Sequence, residues 1–211
     1  MVYDATDAVL NRVHCRLAWS REPLSGWSWA DNTTGAGGLT GPELIPLGLA
    51  GPAGTSANAF DSHLCFAAKP VRTPEGERLY YMGSNGKHSG SKPHRNASLG
   101  LALLRTDGFA GLLGTGFVET VALAITHPRI TLTADIVGPG GFVRVGVRRA
   151  NSSSAYFPGV GLNDCESTTT NVTDAVVSFS SGATLAPFTG QDAVFVVEVH
   201  LASAYTIGFT E

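Results

Sequence analysis

Apolar and polar residues alternate in short runs along most of this chain, and turn residues separate the runs. A two-residue period sends successive side chains to opposite faces, which is the signature of a half-buried strand. The run 13–19, Val-His-Cys-Arg-Leu-Ala-Trp, predicts one such strand, and 63–68, 78–83 and 98–105 predict three more. Trp27-Ser28-Trp29 reads as a short aromatic edge, and 43–47 carries Pro46, so it is an edge strand or a loop. Pro-Glu-Gly at 74–76 and Ser-Asn-Gly-Lys at 84–87 supply turn chemistry between the runs. No stretch has a convincing helical period with caps, and 4–12 is the one candidate for a short helix. Long charged helices are excluded by composition, since only three residues are Lys.

From about residue 115 the alternation becomes regular. The runs 117–121, 129–137, 142–148 and 175–179 predict strands, and 194–200 begins another that can extend to 209. Gly-Pro-Gly-Gly at 138–141 joins two of them, so 129–148 is predicted to be a hairpin. Leu112-Leu113-Gly114-Thr115-Gly116 reads as a connector, dividing the chain into 1–113 and 114–211. Four or five strands with long loops are expected in the first part, and a sandwich of seven or eight in the second. The first part is too loose for a closed domain and reads as one or two blades of a propeller. The fold class is therefore all-β: partial β-propeller blades followed by an antiparallel jelly-roll-like β-sandwich.

A net charge of −3 gives no electrostatic reason to bind nucleic acid. No segment approaches 18 uninterrupted apolar residues, so no membrane span is expected. The first 25 residues lack a signal-peptide pattern, so the chain is intracellular or its natural start lies upstream. Four N-x-S/T sequons, at Asn32, Asn96, Asn151 and Asn171, shift the balance slightly towards a secreted or extracellular route. Cys15, Cys65 and Cys165 have no zinc-ligand spacing, and three buried thiols are favoured over a disulfide plus one free thiol. No metal or other cofactor is expected.

Several strings resemble a known family. Leu17-Ala18-Trp19-Ser20-Arg21 followed by Trp27 is similar to the "L-x-W-S-R-D-x-x-x-W" strand of five-bladed propeller glycosidases. Phe60-Asp61-Ser62 resembles their "F-D-S/T-G", and 79–88 resembles "I-Y-Y-G-G-x-x-x-x-H". The run 99–109 resembles "I-G-L-A-x-L-R-x-D-G-F", the closing strand before an appended sandwich, where 161–166 fits a "G-F-x-x-D-C/S" turn. The family is glycoside hydrolase family 32, the invertase and fructosidase-like group. The resemblance implies the C-terminal part of a longer glycosidase-like protein. The family's three carboxylate motifs, "W-M-N-D-P-N-G", "R-D-P" and "E-C", are absent, and Cys165-Glu166 reverses the last. Catalysis is expected to be absent or completed elsewhere.

Glycoside hydrolysis needs two carboxylates across a pocket. Asp61, Glu77 and Asp107 are the candidates; their plainer readings are a loop hydrogen bond, a solvated residue and a turn residue. Tyr80 and Tyr81 alternate, so one packs in the core and the other can stack on a sugar ring. Trp19 is expected to pack, and at least one of Trp27 and Trp29, which share a face, to be exposed. Arg148-Arg149 reads as a solvated hairpin end. The predicted glycan-binding set is Asp61, Ser62, His63, Tyr81, Ser84, Asn85 and His88, with carbohydrate as the partner. The alternative is a structural or protein-interaction β module whose exposed blade face is covered by a protein partner or by self-association.

Overall fold

The alternating runs fold as strands. A computed structural model describes residues 2–3, 12–22, 24–29, 43–49, 59–88 and 96–211. The expected helix at 4–12 lies outside these residues but for Arg12. The described residues are all-β apart from one 3-10 turn at Ala186–Phe188. The chain divides into two units, Met1–Phe109 and Ala110–Glu211. The expected division at 113/114 instead falls inside a strand of the second unit.

The first unit contains β1 (Val2–Tyr3), β2 (Val13–Arg16), β3 (Ala18–Trp19), β4 (Ser28–Trp29) and β5 (Glu43–Ile45). It continues with β6 (Leu64–Ala67), β7 (Val71–Thr73), β8 (Gly76–Ser84) and β9 (Ala97–Leu104). The expected strand 13–19 breaks at Leu17: β2 joins the main sheet, while β3 pairs with β4. Trp19 is thereby 52% exposed rather than packed, and Trp27 is exposed too. Strand β8 is the organiser. On one side it pairs antiparallel with β6 and β7, and on the other with β9, from Glu77↔Leu104 to Ser84↔Ala97 without a register break. Its alternation sorts Leu79 and Tyr81 into the core and leaves Tyr80 and Met82 outside. That core holds Cys15, Ile45, Cys65, Leu79 and Tyr81, flanked by Phe60, Ala102, Leu104 and Phe109.

The cysteine expectation is corrected here. Cys15 and Cys65 form a disulfide, and Cys165 is a free, buried thiol. Parallel pairing of Val13 with Leu64 brings Cys15, two residues further along β2, and Cys65, the next residue of β6, to a Cα separation of 5.6 Å. That lies in the range a disulfide spans. Fifty residues of sequence separation hid this neighbourhood.

The second unit contains β10 (Leu112–Glu119), β11 (Leu123–Ala124), β12 (Arg129–Ile136), β13 (Phe142–Arg149), β14 (Val172–Val176) and β15 (Asp192–Thr210). The expected connector 112–116 is the start of β10. Gly114 and Gly116, at φ 143° and 157°, carry a register shift that lets the strand run on. The last run is one strand of 19 residues. Its first half lies between β10 and β13, and its second half pairs with β12, beyond which lies β14. The predicted hairpin is therefore wrong. β12 and β13 do not pair with each other; each pairs with a different half of β15. The glycine turn at 138–141 carries the chain around a corner instead.

The corner is Leu201, at φ 43°. Its N–H donates to Thr115 Oγ1 at 3.2 Å, and its carbonyl accepts the N–H of Val137 at 2.9 Å. Ile130, Leu132, Val143, Val145, Val147, Phe195 and Val197 share one core cluster. Arg148 is not a solvated end: its guanidinium makes two bonds to Glu119, at 2.9 and 2.6 Å, and one to the Ser153 carbonyl. Arg149 lies over the Phe157 ring at 4.6 Å.

Two outcomes follow. The chain-entropy description gives a disulfide closing a loop of this length roughly 4 kcal/mol. Cys15→Ser/Cys65→Ser is expected to lower stability by roughly 2–4 kcal/mol, seen by hydrogen exchange at the Leu79 and Tyr81 amides. Equal loss at Val145 and Val197 amides would contradict the division into units. At Leu201, a left-handed conformation costs a non-glycine residue about 1–2 kcal/mol. Leu201→Val is expected to be less stable than Leu201→Gly by about 1 kcal/mol or more in urea unfolding, because β-branching worsens that strain.

Candidate functional site

The sequence-predicted residues converge on one end of β8, where the segment 59–63 leads into β6. Asp61 and Tyr81 are brought together. The Tyr81 hydroxyl donates to Asp61 Oδ2 at 2.7 Å, and both residues are buried. Phe60 stacks on the Tyr81 ring at 6.0 Å between centroids. Two glycines make room for this group. A Cβ at Gly83 would meet the Phe60 ring at 2.6 Å, and one at Gly100, directly opposite Tyr81 in the register, would strike the Tyr81 ring.

This setting changes the phenol. Burial, the hydrogen bond to Asp61 and the charge of Asp61 together push the Tyr81 pKa up to about 12. The neutral phenol is the form that donates to the carboxylate and the form that tolerates burial.

Ser62 and His63 form a second pair. Ser62 is almost fully buried, and its Oγ lies 3.1 Å from His63 Nδ1. The His63 N–H donates to the Ser84 carbonyl at 3.0 Å, and its carbonyl accepts from Val13. Ser84 is fully buried, and its Oγ accepts from Gly86 N–H at 3.3 Å. Asn85 Oδ1 accepts the Asn96 N–H at 3.0 Å, and the Asn85 N–H donates to the Asn96 carbonyl. This reciprocal pair closes the end of the β8–β9 ladder. His88 stands apart from the group, exposed, with its ring 6.1 Å from Phe66.

The other carboxylates are also engaged. Glu77 is buried rather than solvated, with Arg72 Nε 3.6 Å from its Oε1. Arg72 Nη2 donates to Asp107 Oδ1 at 3.0 Å. Asp107 itself sits in a turn at φ 58°. No group of three or more His, Cys, Asp or Glu among the described residues is arranged to hold a metal.

Sequence reasoning missed a polar cluster between β2 and β5. His14 is buried, with Nδ1 bonded to Glu43 Oε1, while Glu43 Oε2 accepts the Leu47 N–H at 3.1 Å. Arg16 stands opposite Glu43 in the register, and its Nε and Nη1 are buried without a hydrogen-bond partner. His14 and Arg16 are the polar members of an alternating strand, and that pattern predicts solvent rather than burial for them.

The opposite face of β8 and β9 is apolar and open. Tyr80 and Met82 are joined there by Leu99, Leu101 and Leu103, which are 84%, 48% and 70% exposed. Register places Leu99 opposite Met82 and Leu101 opposite Tyr80. Phe66 extends the row from β6, opposite Met82. Among the described residues nothing pairs with the outer edge of β9. No helix among the described residues is long and apolar enough to cross a membrane.

Tyr81→Phe tests the buried pair. The substitution strands the Asp61 carboxylate and is expected to cost about 1–3 kcal/mol. The folded pKa of about 12 lies above the usual 10, so this contribution is complete below pH 10. It fades as pH rises from 10 through 12. Wild type is therefore expected to lose stability over that window, with a smaller loss in Tyr81→Phe, measured by urea unfolding at each pH.

Compared with known protein families, curated proteins and solved structures, the chain matches none.

Proposed function

We propose that this chain is a non-catalytic β module that assembles with protein through the open face and edge of β8 and β9, in the first instance with a second copy of itself. The observation that carries this reading is strand β9. Its sequence, Ala-Ser-Leu-Gly-Leu-Ala-Leu-Leu, contains no charge and no proline, and it pairs with β8 over eight residues without a bulge. Edge strands in stable monomers are guarded by lysine, proline, bulges or short length. Strand β9 has none of these, so its outer N–H and C=O groups, which no strand pairs among the described residues, can template another strand. Burying Leu99, Leu101 and Leu103 would add roughly 1.5–3 kcal/mol each for full burial. The non-catalytic part of the reading rests on Asp61, Glu77 and Asp107, each of which is tied to a neighbour within the fold.

The glycan reading keeps support of its own. Tyr80, Phe66 and the His88 ring offer exposed or half-exposed aromatic surface, two of them on one sheet face and the third against Phe66. Such surfaces suit the apolar side of a pyranose. The likeness to glycoside hydrolase family 32 adds a motif-based reason for a carbohydrate partner.

Sedimentation velocity separates the two. Concentration-dependent dimers or larger species are expected for the wild type, and monomers for Leu99→Lys/Leu101→Lys with unchanged thermal stability. A wild type that stays monomeric from micromolar to millimolar concentration would overturn the assembly reading. Sugar binding by calorimetry that is lost in Tyr80→Ala, with sedimentation unaltered, would favour the glycan reading instead.

A further inference from the structure

The second unit contains a cavity that the assembly reading does not use. It exists because β15 turns at Leu201, so side chains from before and after the turn converge. Phe195 and Val197 come from the first half of β15, Ile207 and Phe209 from the second, and Val118 and Leu123 from β10 and β11. Phe195 and Phe209 meet edge to face at 5.4 Å. The space is about 230 Å³ and partly open to solvent; two of its lining residues, Leu112 and Leu123, are exposed.

The chemistry of the walls restricts the occupant. Among the described residues no Lys, Arg, Asp or Glu lines the cavity. Two of its polar groups are already engaged: Thr120 Oγ1 accepts the Phe195 N–H at 3.0 Å, and the Tyr205 hydroxyl donates to Asp135 Oδ2 at 3.1 Å. A charged molecule entering would lose hydration and find no counter-charge. An uncharged apolar molecule meets walls of its own kind, with Thr206 as the remaining hydroxyl. Size narrows the class further. An apolar cavity of about 150 Å³ holds benzene. A space of about 230 Å³ therefore suits roughly two fused rings, or a branched hydrocarbon of that bulk.

We propose that this cavity is a binding site for a small, uncharged, apolar molecule of about two rings' size. Naphthalene is the neutral probe and decanoate the charged one, each titrated into the full chain and followed by NMR. Saturable naphthalene binding is expected, with NOEs from its protons to the methyls of Val118 and Ile207. Decanoate is expected to bind about tenfold more weakly or worse. Val118→Phe and, independently, Ala204→Leu fill the space and are expected to weaken naphthalene about tenfold or more. If neither variant folds, the NOEs of the wild type decide the matter alone. Binding that does not saturate, NOEs to residues outside the cavity, or equal affinity for decanoate would each overturn the proposal. So would NOEs that emerge only as dimers dissociate on dilution, because a second copy would then be the occupant.

Discussion

The change of partners that β15 makes at Leu201 sets the architecture of the second unit. A single strand of 19 residues cannot stay flat and still pair with β10, β11, β12 and β13 around one core. The left-handed Leu201 solves this by turning the strand, and the Thr115 hydroxyl and the Val137 N–H hold the turn by hydrogen bonds to its backbone. Other features follow from it. The Gly-Pro-Gly-Gly segment rounds the same corner as an arch. Ile130, Leu132, Val143 and Val145 pack into one cluster, and the two arms of β15 line the apolar cavity. The energy that offsets a strained residue comes from that shared core, in which Ala134, Val143, Val145 and Val147 are fully buried.

The first unit depends on a different device. Strands β2 and β6 share one parallel pair of residues, too little pairing to hold two distant segments together. The Cys15–Cys65 disulfide covalently fixes what that pairing leaves loose, inside a small core. Around it, polar groups are buried in matched sets: Tyr81 with Asp61, His14 with Glu43, Ser62 with His63. Each set satisfies a group that would otherwise be costly to bury. A disulfide and four sequons both suit an oxidising, secretory route, which the sequons alone favour only slightly.

Element type was legible in the sequence wherever alternation was strong. Runs 78–83, 98–105, 129–137 and 142–148 all fall on strands, because a two-residue period records only which side chains are buried. Partner choice was not legible. Strong alternation in β12 and β13 and a glycine turn between them suit a hairpin and a corner equally, and the long β15 decides between them. The Cys15–Cys65 pair and the Asp61–Tyr81 bond join residues 50 and 20 positions apart, and no local pattern encodes such distances. The candidate site was legible as a place, since five of its seven residues meet around the end of β8 with Asn85 adjoining. The state of those residues was not. The motif that singled out Asp61 gives no sign that a tyrosine hydroxyl donates to its Oδ2 or that Gly83 and Gly100 make room for the group.

Strand β9 shows what a mismatch between sequence and surroundings means. A strand with one wet face alternates, whereas a strand buried on both faces reads as an almost continuous apolar run. Residues 99–104, Leu-Gly-Leu-Ala-Leu-Leu, are such a run. Ala102 and Leu104 pack against the core of the first unit, while Leu99, Leu101 and Leu103 remain exposed. Half of this strand's hydrophobicity is therefore accounted for within its own unit. In β8 the corresponding outward positions are Tyr80 and Met82, also apolar, so the surplus spans two strands and is not a single stray residue. A contiguous apolar surface beside an unguarded edge is what a covered interface looks like when its cover is removed. That is why the outer face of β8 and β9, rather than the buried Asp61 group beneath it, carries the functional reading of this chain.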